Sequence, residues 1–332
     1  MPTIGTNTTP AFFQTNLTAN GSIYADASGV FNNVSPSATT GIPLISTGSA
    51  TPPTHGTMTV PGGGTGISSI TAYAQIAGGT TSTGAFQDLT AGSSGKWIVS
   101  AGNAAVGTFK TLTVKAQVFT SSGTYTPTSG MAWCILECVG GGGGGGASSD
   151  TIAAQVSAGG GGGGGGYAMI VANAATVGAS QTVTIGAAGS AGTVTGGVGG
   201  DGGSGGTSSV GSIVSALGGG PGIGGGAGGV SFPAGGAGGS GSGGTLNLNG
   251  QDGETGVAVY NVRTFGISGR GGNTKIGPTT KPGVVVGGNF AGTAGGNYGT
   301  GGDGAATGQS LGGASGGAGA KGIVVITEYI IS

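Results

Sequence analysis

Charge is nearly absent from this chain. Of its 332 residues, 8 are Lys or Arg and 9 are Asp or Glu, a charged fraction of 5% and a net charge of -1, where an average soluble domain carries about 25%. Nucleic-acid binding through phosphate neutralisation needs clustered Lys and Arg, so no nucleic acid is expected as a partner. A near-neutral surface also does little to keep copies apart, and an assembly is expected.

Histidine occurs once, as His55 in the Pro-rich stretch TPPTHGT, which reads as a solvated turn. Without a second His, neither a Ser-His-Asp relay nor a multi-His metal site can be built within one chain. Carboxylates are few, whereas a glycosidase needs two of them about 5 to 9.5 Å apart flanking a sugar cleft. Asp201, Asp252 and Asp303 are evenly spaced and each precedes a glycine. Their flanks do not repeat and the calcium β-roll nonapeptide is missing, so capping or turn roles are expected. No catalytic residue, cofactor or metal site is expected.

Cysteine occurs twice. Cys134 and Cys138 lie in MAWCILECV, which reads as a strand and separates them by about 13 Å, while disulfide Cα atoms lie under about 7 Å apart. They read as small buried hydrophobes, with interchain contact or metal binding left open. No apolar run reaches 18 residues and no basic segment precedes an apolar one at the N-terminus, so neither membrane insertion nor a secretory signal is expected. The runs Gly140 to Gly146 and Gly159 to Gly166 are not phosphate loops, since no GK[ST] follows. They read as backbone-packing segments.

What the chain has is glycine, 88 residues of it, and the glycine is periodic. From Thr195 to Thr207 the text is T-GG-V-GG-D-GG-S-GG-T, and the beat returns at Ala234 to Ser240, at Pro221 to Val230 with Ile223 intruding, and at Ala294 to Asp303. A polyproline II-type helix has three residues per turn and makes no internal hydrogen bonds, so two of its three edges would here be bare backbone. Buried N–H and C=O groups need partners. Several such runs therefore predict a bundle of polyglycine II helices bonded side to side. A disordered linker would share the composition but not the period. Ordering glycine costs about 0.5 to 1 kcal/mol per residue relative to Ala, which backbone pairing and neighbouring copies must offset.

Residues 1–60, rich in Thr, Ser, Asn and Pro with apolar patches such as Ala11-Phe12-Phe13, read as an extended docking segment. Residues 61–116 read as a β-rich shaft with candidate strands Ile67 to Ile76, Ala85 to Leu89 and Lys96 to Ser100. These are too short and too poor in apolar residues to close a monomeric core, so a parallel homotrimer is expected.

The block TAYAQIAGGTTSTGAFQDL, followed by GSSGKWIVSAGNAAVGTF, resembles strand repeats of bacteriophage tail fibre proteins. VFTSSGTYTPTSGMAWCILECVGGGGGGG, then GGGGGGGGYAMIVANAATVGASQTVTIGAAG and the closing KGIVVITEYIIS, is similar to the glycine-rich domain at the ends of such fibres. The GGx runs also resemble the polyglycine II tip of T-even-like long tail fibre adhesins. The resemblance implies an all-β chain with almost no α-helix: an elongated strand shaft, then a glycine-rich domain over 117–332. In that domain a β frame (117–185 and 322–331) would carry a glycine bundle at 186–320. Frame strands would be Gln117 to Thr126, Met131 to Val139, Tyr167 to Val171, Gln181 to Ile185 and Gly322 to Ile331. Implied partners are other virion tail proteins at the N-terminal region and a host-surface glycan or protein.

Between Thr245 and Ala291 the glycine period breaks and aromatic and basic residues gather: Tyr260, Arg263, Phe265, Arg270, Lys275, Lys281, Asn289 and Phe290, with Asn297 and Tyr298 soon after. Such side chains combine contact area with directional hydrogen bonds, which makes this stretch the candidate receptor-binding surface. Arg263, Arg270 and Tyr298 are expected exposed, while Phe265 and Phe290 either touch the receptor or anchor the loops from within. The leading expectation is a non-enzymatic fibre component on a virion, acting at the host cell surface. Its competitors are a structural extracellular filament without a ligand and an ice-binding bundle. The latter wants a flat array of Thr, Ala or Val, and the mixed series Val198, Asp201, Ser204, Thr207 argues against it.

Overall fold

The computed structural model describes residues 19–40, 42–47, 51–56, 75–77, 87–89, 95–100, 107–260, 264–277, 284–285 and 288–332. The chain divides into two compact units, Met1–Thr111 and Leu112–Ser332. It is all-β; one four-residue helix, Ala174–Val177, is found among the described residues.

The described part of the first unit consists of short antiparallel pairs. Ser22–Ala25 pairs with Phe31–Val34, Leu44–Ile45 with Thr54–His55, Gln75–Ala77 with Gln87–Leu89, and Lys96–Val99 with the start of Thr108–Phe119. In the first hairpin Asp26 accepts from the Val30 and Ser28 amides and from Asn32. These bonds, the Val30 amide foremost, hold its carboxyl below the ordinary aspartate value against the opposing effect of burial. His55, expected in a solvated turn, is instead half-buried in a two-residue strand opposite Leu44. The first part of the expected strand Ile67 to Ile76 lies outside the described residues.

The second unit begins with a frame of two sheets. In one, the strands run in the order Leu246–Leu248, Tyr167–Asn173, Met131–Val139, Ile323–Ile331 and Thr108–Phe119. In the other, the order is Gly241–Ser242, Val214–Ala216, Ser208–Val210, Gln181–Thr184 and Gly123–Tyr125. Alternate residues of the first sheet, including Cys134, Leu136, Cys138, Val324 and Ile326, meet Tyr125, Val183, Val210 and Val214 of the second in the main hydrophobic core. The expected strand Gln117 to Thr126 is two strands, one in each sheet. The turn-forming stretch Thr120-Ser121-Ser122 carries the chain between them, and Ser122 Oγ accepts the Ile185 amide at 3.0 Å. The Tyr167 strand runs on to Asn173, whose side chain accepts the Thr176 amide at 2.8 Å and caps the short helix.

Both cysteines are free and buried, facing the core from one strand. Burial, with a smaller contribution from the Glu137 charge, pushes the Cys138 thiol up to about 12. Glu328 is fully buried in the same strand as Ile326. Its carboxylate accepts from the Tyr125 hydroxyl (2.9 Å), the Thr128 amide (2.8 Å) and the Thr128 hydroxyl (2.6 Å). Burial alone would raise its pKa, but these bonds and one from Gln117 outweigh it and the net shift is downward.

Between the frame strands lies the glycine bundle. The run 140–148 donates in strict rotation to three antiparallel neighbours: Gly140, Gly143 and Gly146 to 160–166, Gly141, Gly144 and Ala147 to 200–206, and Gly142, Gly145 and Ser148 to 314–320. It accepts from three parallel ones, at 189–192, 219–225 and 302–305. A partner change at every residue with return at every third is the signature of a three-residue turn, so 140–148 is a polyglycine II helix ringed by six others. The run 159–166 is ringed likewise, by 140–146, 217–223, 236–239, 251–254, 269–272 and 299–305. The outer helices also bond to one another, as in Gly203 to Ser190 (2.7 Å) and Gly253 to Gly236 (2.7 Å).

This arrangement explains the two glycine patterns. A helix ringed on all sides tolerates no side chain on any edge, and both all-glycine runs, which lie within the stretch expected to be frame, form the centre of the bundle. A Cβ on Gly143 would overlap the Gly220 carbonyl oxygen, and one on Gly144 the Ser190 carbonyl oxygen. Peripheral helices keep one edge outward, which is where Asp201, Ser204 and Ala237 sit exposed.

Candidate recognition surface

Helices leave the frame at 140, 186, 217, 250 and 299 and return along 159–166, 200–206, 234–240, 268–273, 292–297 and 314–320. Each run spans roughly 20 Å, at about 3.1 Å per residue. The connections therefore gather at two ends, one beside the frame and one distal to it.

At the distal end the glycine backbone runs out of partners and hydroxyls replace them. Ser148 Oγ bonds Thr307 Oγ1 at 2.6 Å, Ser149 donates its amide to Ser157 Oγ at 2.8 Å and its hydroxyl to the Gly225 carbonyl at 2.5 Å, and Thr151 donates to the Gly308 carbonyl at 2.5 Å. All of these side chains are buried. Two small sheets complete this end. Val230–Ser231, Val257–Val259, Phe265–Ile267 and Val284–Val285 form one, and Ser157–Ala158, Ala306–Thr307 and Asn289–Phe290 the other. Val156, Ala158, Ala258 and Ala306 make a small core between them, with Tyr260 and Phe290 packed against it.

The candidate residues are thereby sorted. Tyr260, Phe265, Asn289 and Phe290 come together at the distal end. Tyr260 and Phe290 anchor loops from within, Phe265 is half-buried opposite Val259, and Asn289 is exposed with its Nδ2 on the Gly312 carbonyl at 2.5 Å. Arg270, expected exposed, is half-buried within a bundle helix, its carbonyl accepting the Glu254 amide and its Nε enclosed without a hydrogen-bond partner. Asn297 and Tyr298 lie at the opposite end. Tyr298, also expected exposed, packs half-buried on Val139, Tyr167 and Ile323 of the frame. Lys275 is exposed; Arg263 and Lys281 lie outside the described residues.

The distal end also carries apolar side chains outside the candidate stretch between Thr245 and Ala291 and the residues that follow it. Ile152, Val198, Val230 and Phe232 are exposed in its loops, at 68%, 64%, 59% and 63%. Their signal was there to see for three of them: Val198, Val230 and Phe232 interrupt or closely follow a glycine run with an apolar residue, as in GGVSFP at 228–233.

The aspartates have a structural role. Asp201 accepts the Gly224 amide (2.7 Å), Asp252 the Gly238 amide (2.7 Å) and Asp303 the Gly271 amide (2.9 Å). Each sits on one glycine helix and caps an amide of the next, which is the capping expected of them, directed sideways. No group of three or more His, Cys, Asp or Glu side chains suited to a metal ion is found among the described residues. No helix among them is long and apolar enough to cross a membrane.

A two-sheet β frame that holds laterally bonded glycine helices and displays their turns at a distance defines a glycine-rich β domain. The glycine-rich domain family matches residues 117–329, and the chain belongs to that family. Comparison with curated proteins finds no relative.

Proposed function

We propose that the chain is a non-enzymatic structural component of a bacteriophage tail fibre, assembled as a homotrimer, whose distal glycine-bundle loops attach to a glycan or protein on the host surface. In this reading residues 1–60 meet other virion tail proteins. One observation carries it above the rest: the turns at the distal end of a backbone-bonded scaffold carry varied side chains, with Val230, Phe232 and Asn289 exposed there. Loops on a rigid support are where recognition is commonly placed, and exposed apolar clusters mark interaction surfaces. The similarity of the 71–89 block and of the glycine-rich region to phage fibre proteins supplies the biological setting.

The test is binding of labelled protein to bacterial cells that the parent phage infects. Val230→Ser/Phe232→Ser is expected to weaken binding by about 1 to 3 kcal/mol, the usual range for contact residues, with the oligomer intact. Unchanged binding after removal of both side chains would overturn the placement of the recognition surface.

A further inference from the structure

We propose that the outer face of the first frame sheet, the face turned away from the main core, is where copies of this chain associate. The inference rests on the reading of the chain as a homo-oligomer and names the surface responsible.

The strands MAWCILECV and IVVITEYII are apolar nearly throughout. Strands with one buried face alternate apolar and polar residues, while those buried on both faces read as near-continuous hydrophobic runs. Here only one face is covered by the second sheet. Cross-strand register lays the other out as rows: Trp133 beside Tyr329 and Val114, Ile135 beside Val171, and Val325 beside Val118. The Trp133 and Tyr329 rings stack with centroids 5.3 Å apart and 14° between planes. Val114, Val118 and Val171 are each more than half exposed. At the bundle side of the same face, Tyr298 already covers Val139, Tyr167 and Ile323, leaving the remainder open.

Size and charge select the occupant. Four strands about 4.8 Å apart, paired over seven to eight residues of about 3.3 Å, with Leu246–Leu248 paired over three more at one edge, make a patch of roughly 500 Å². Two such patches together come to about the 1,000 Å² that a stable association requires. The carboxylate on this face, Glu137, is held by the Tyr167 hydroxyl at 2.6 Å, and the rows around it are apolar, so the face offers a charged partner surface a single group to meet. A largely apolar face is matched by copies of itself, and three such faces turned toward a common three-fold axis close an assembly of the kind proposed for the chain.

Light scattering of the full chain at micromolar concentration tests this, with three variants beside the wild type. The wild type is expected at a multiple of 30.3 kDa. Val114→Lys/Val171→Lys is expected to run as a monomer with an unchanged circular dichroism spectrum. Val114→Thr/Val171→Thr keeps shape and strand preference, and is expected to weaken association by about tenfold or more; it decides the matter if the lysine variant unfolds. Val198→Lys, at the distal end, is expected to keep the wild-type mass. A folded lysine pair that stays at the wild-type mass, or a threonine pair associating as tightly as the wild type, overturns this surface and leaves the homo-oligomer standing. A wild type that is monomeric at every concentration overturns the homo-oligomer and this inference with it.

Discussion

Gly143 and Gly226 are the same residue in opposite situations. At Gly143 a Cβ would collide with the Gly220 carbonyl, whereas at Gly226 it would meet nothing within 4 Å. Gly143→Ala is expected to destabilise by about 1 to 3 kcal/mol or more through overpacking, and Gly226→Ala to stay within about 0.5 kcal/mol. Urea midpoints of the two variants check this, and equal losses would contradict the packing of the central helices. Asp303 makes a second residue-level case. It is buried with the Gly271 amide on its Oδ1, so Asp303→Ala strands a buried donor and is expected to cost about 1 to 3 kcal/mol. Ser204→Ala, on an exposed edge of a peripheral helix, is expected to be nearly neutral.

Among the elements, the closing strand Ile323–Ile331 carries an unusual cargo in Glu328, a carboxylate inside the frame. Because its pKa is lowered on folding, its contribution is present in full above the ordinary glutamate value of 4.5. That contribution declines as pH falls through the lower folded value. Thermal melts of the wild type are therefore expected to fall below about pH 4.5, and Glu328→Gln to flatten that dependence while losing about 1.5 to 3 kcal/mol at neutral pH. A variant as acid-sensitive as the wild type would place the titration elsewhere. The frame strands were legible in the sequence because their apolar runs are long and bounded by glycine. The peripheral helices were legible because one outward residue in three marks the beat. The central helices were not, since a run of glycine alone has no phase and no edge to read. Nor was the sorting of the candidate site, because helices run both ways along the bundle. Asn297 and Tyr298 follow Phe290 closely in sequence, yet the helix between them carries the chain from one end of the bundle to the other.

For the glycine-rich unit as a whole, one organisation links composition to display: backbone bonds the centre, aspartates and hydroxyls finish the edges, and side-chain variety is left to the ends. Charge is not needed for such a scaffold, which accounts for a chain with 5% charged residues. The claim on which everything else depends is that 140–148 and 159–166 are fully bonded central helices. Native-state amide hydrogen exchange tests it directly, because protection reports whether an amide is bonded and how rarely its segment opens. Amides of 140–147 and 159–166 are expected to be as slow as those of the Met131–Val139 strand, opening only with the whole unit, while Gly226 and Gly229 exchange fast. Rapid exchange throughout the two all-glycine runs would contradict the bundle.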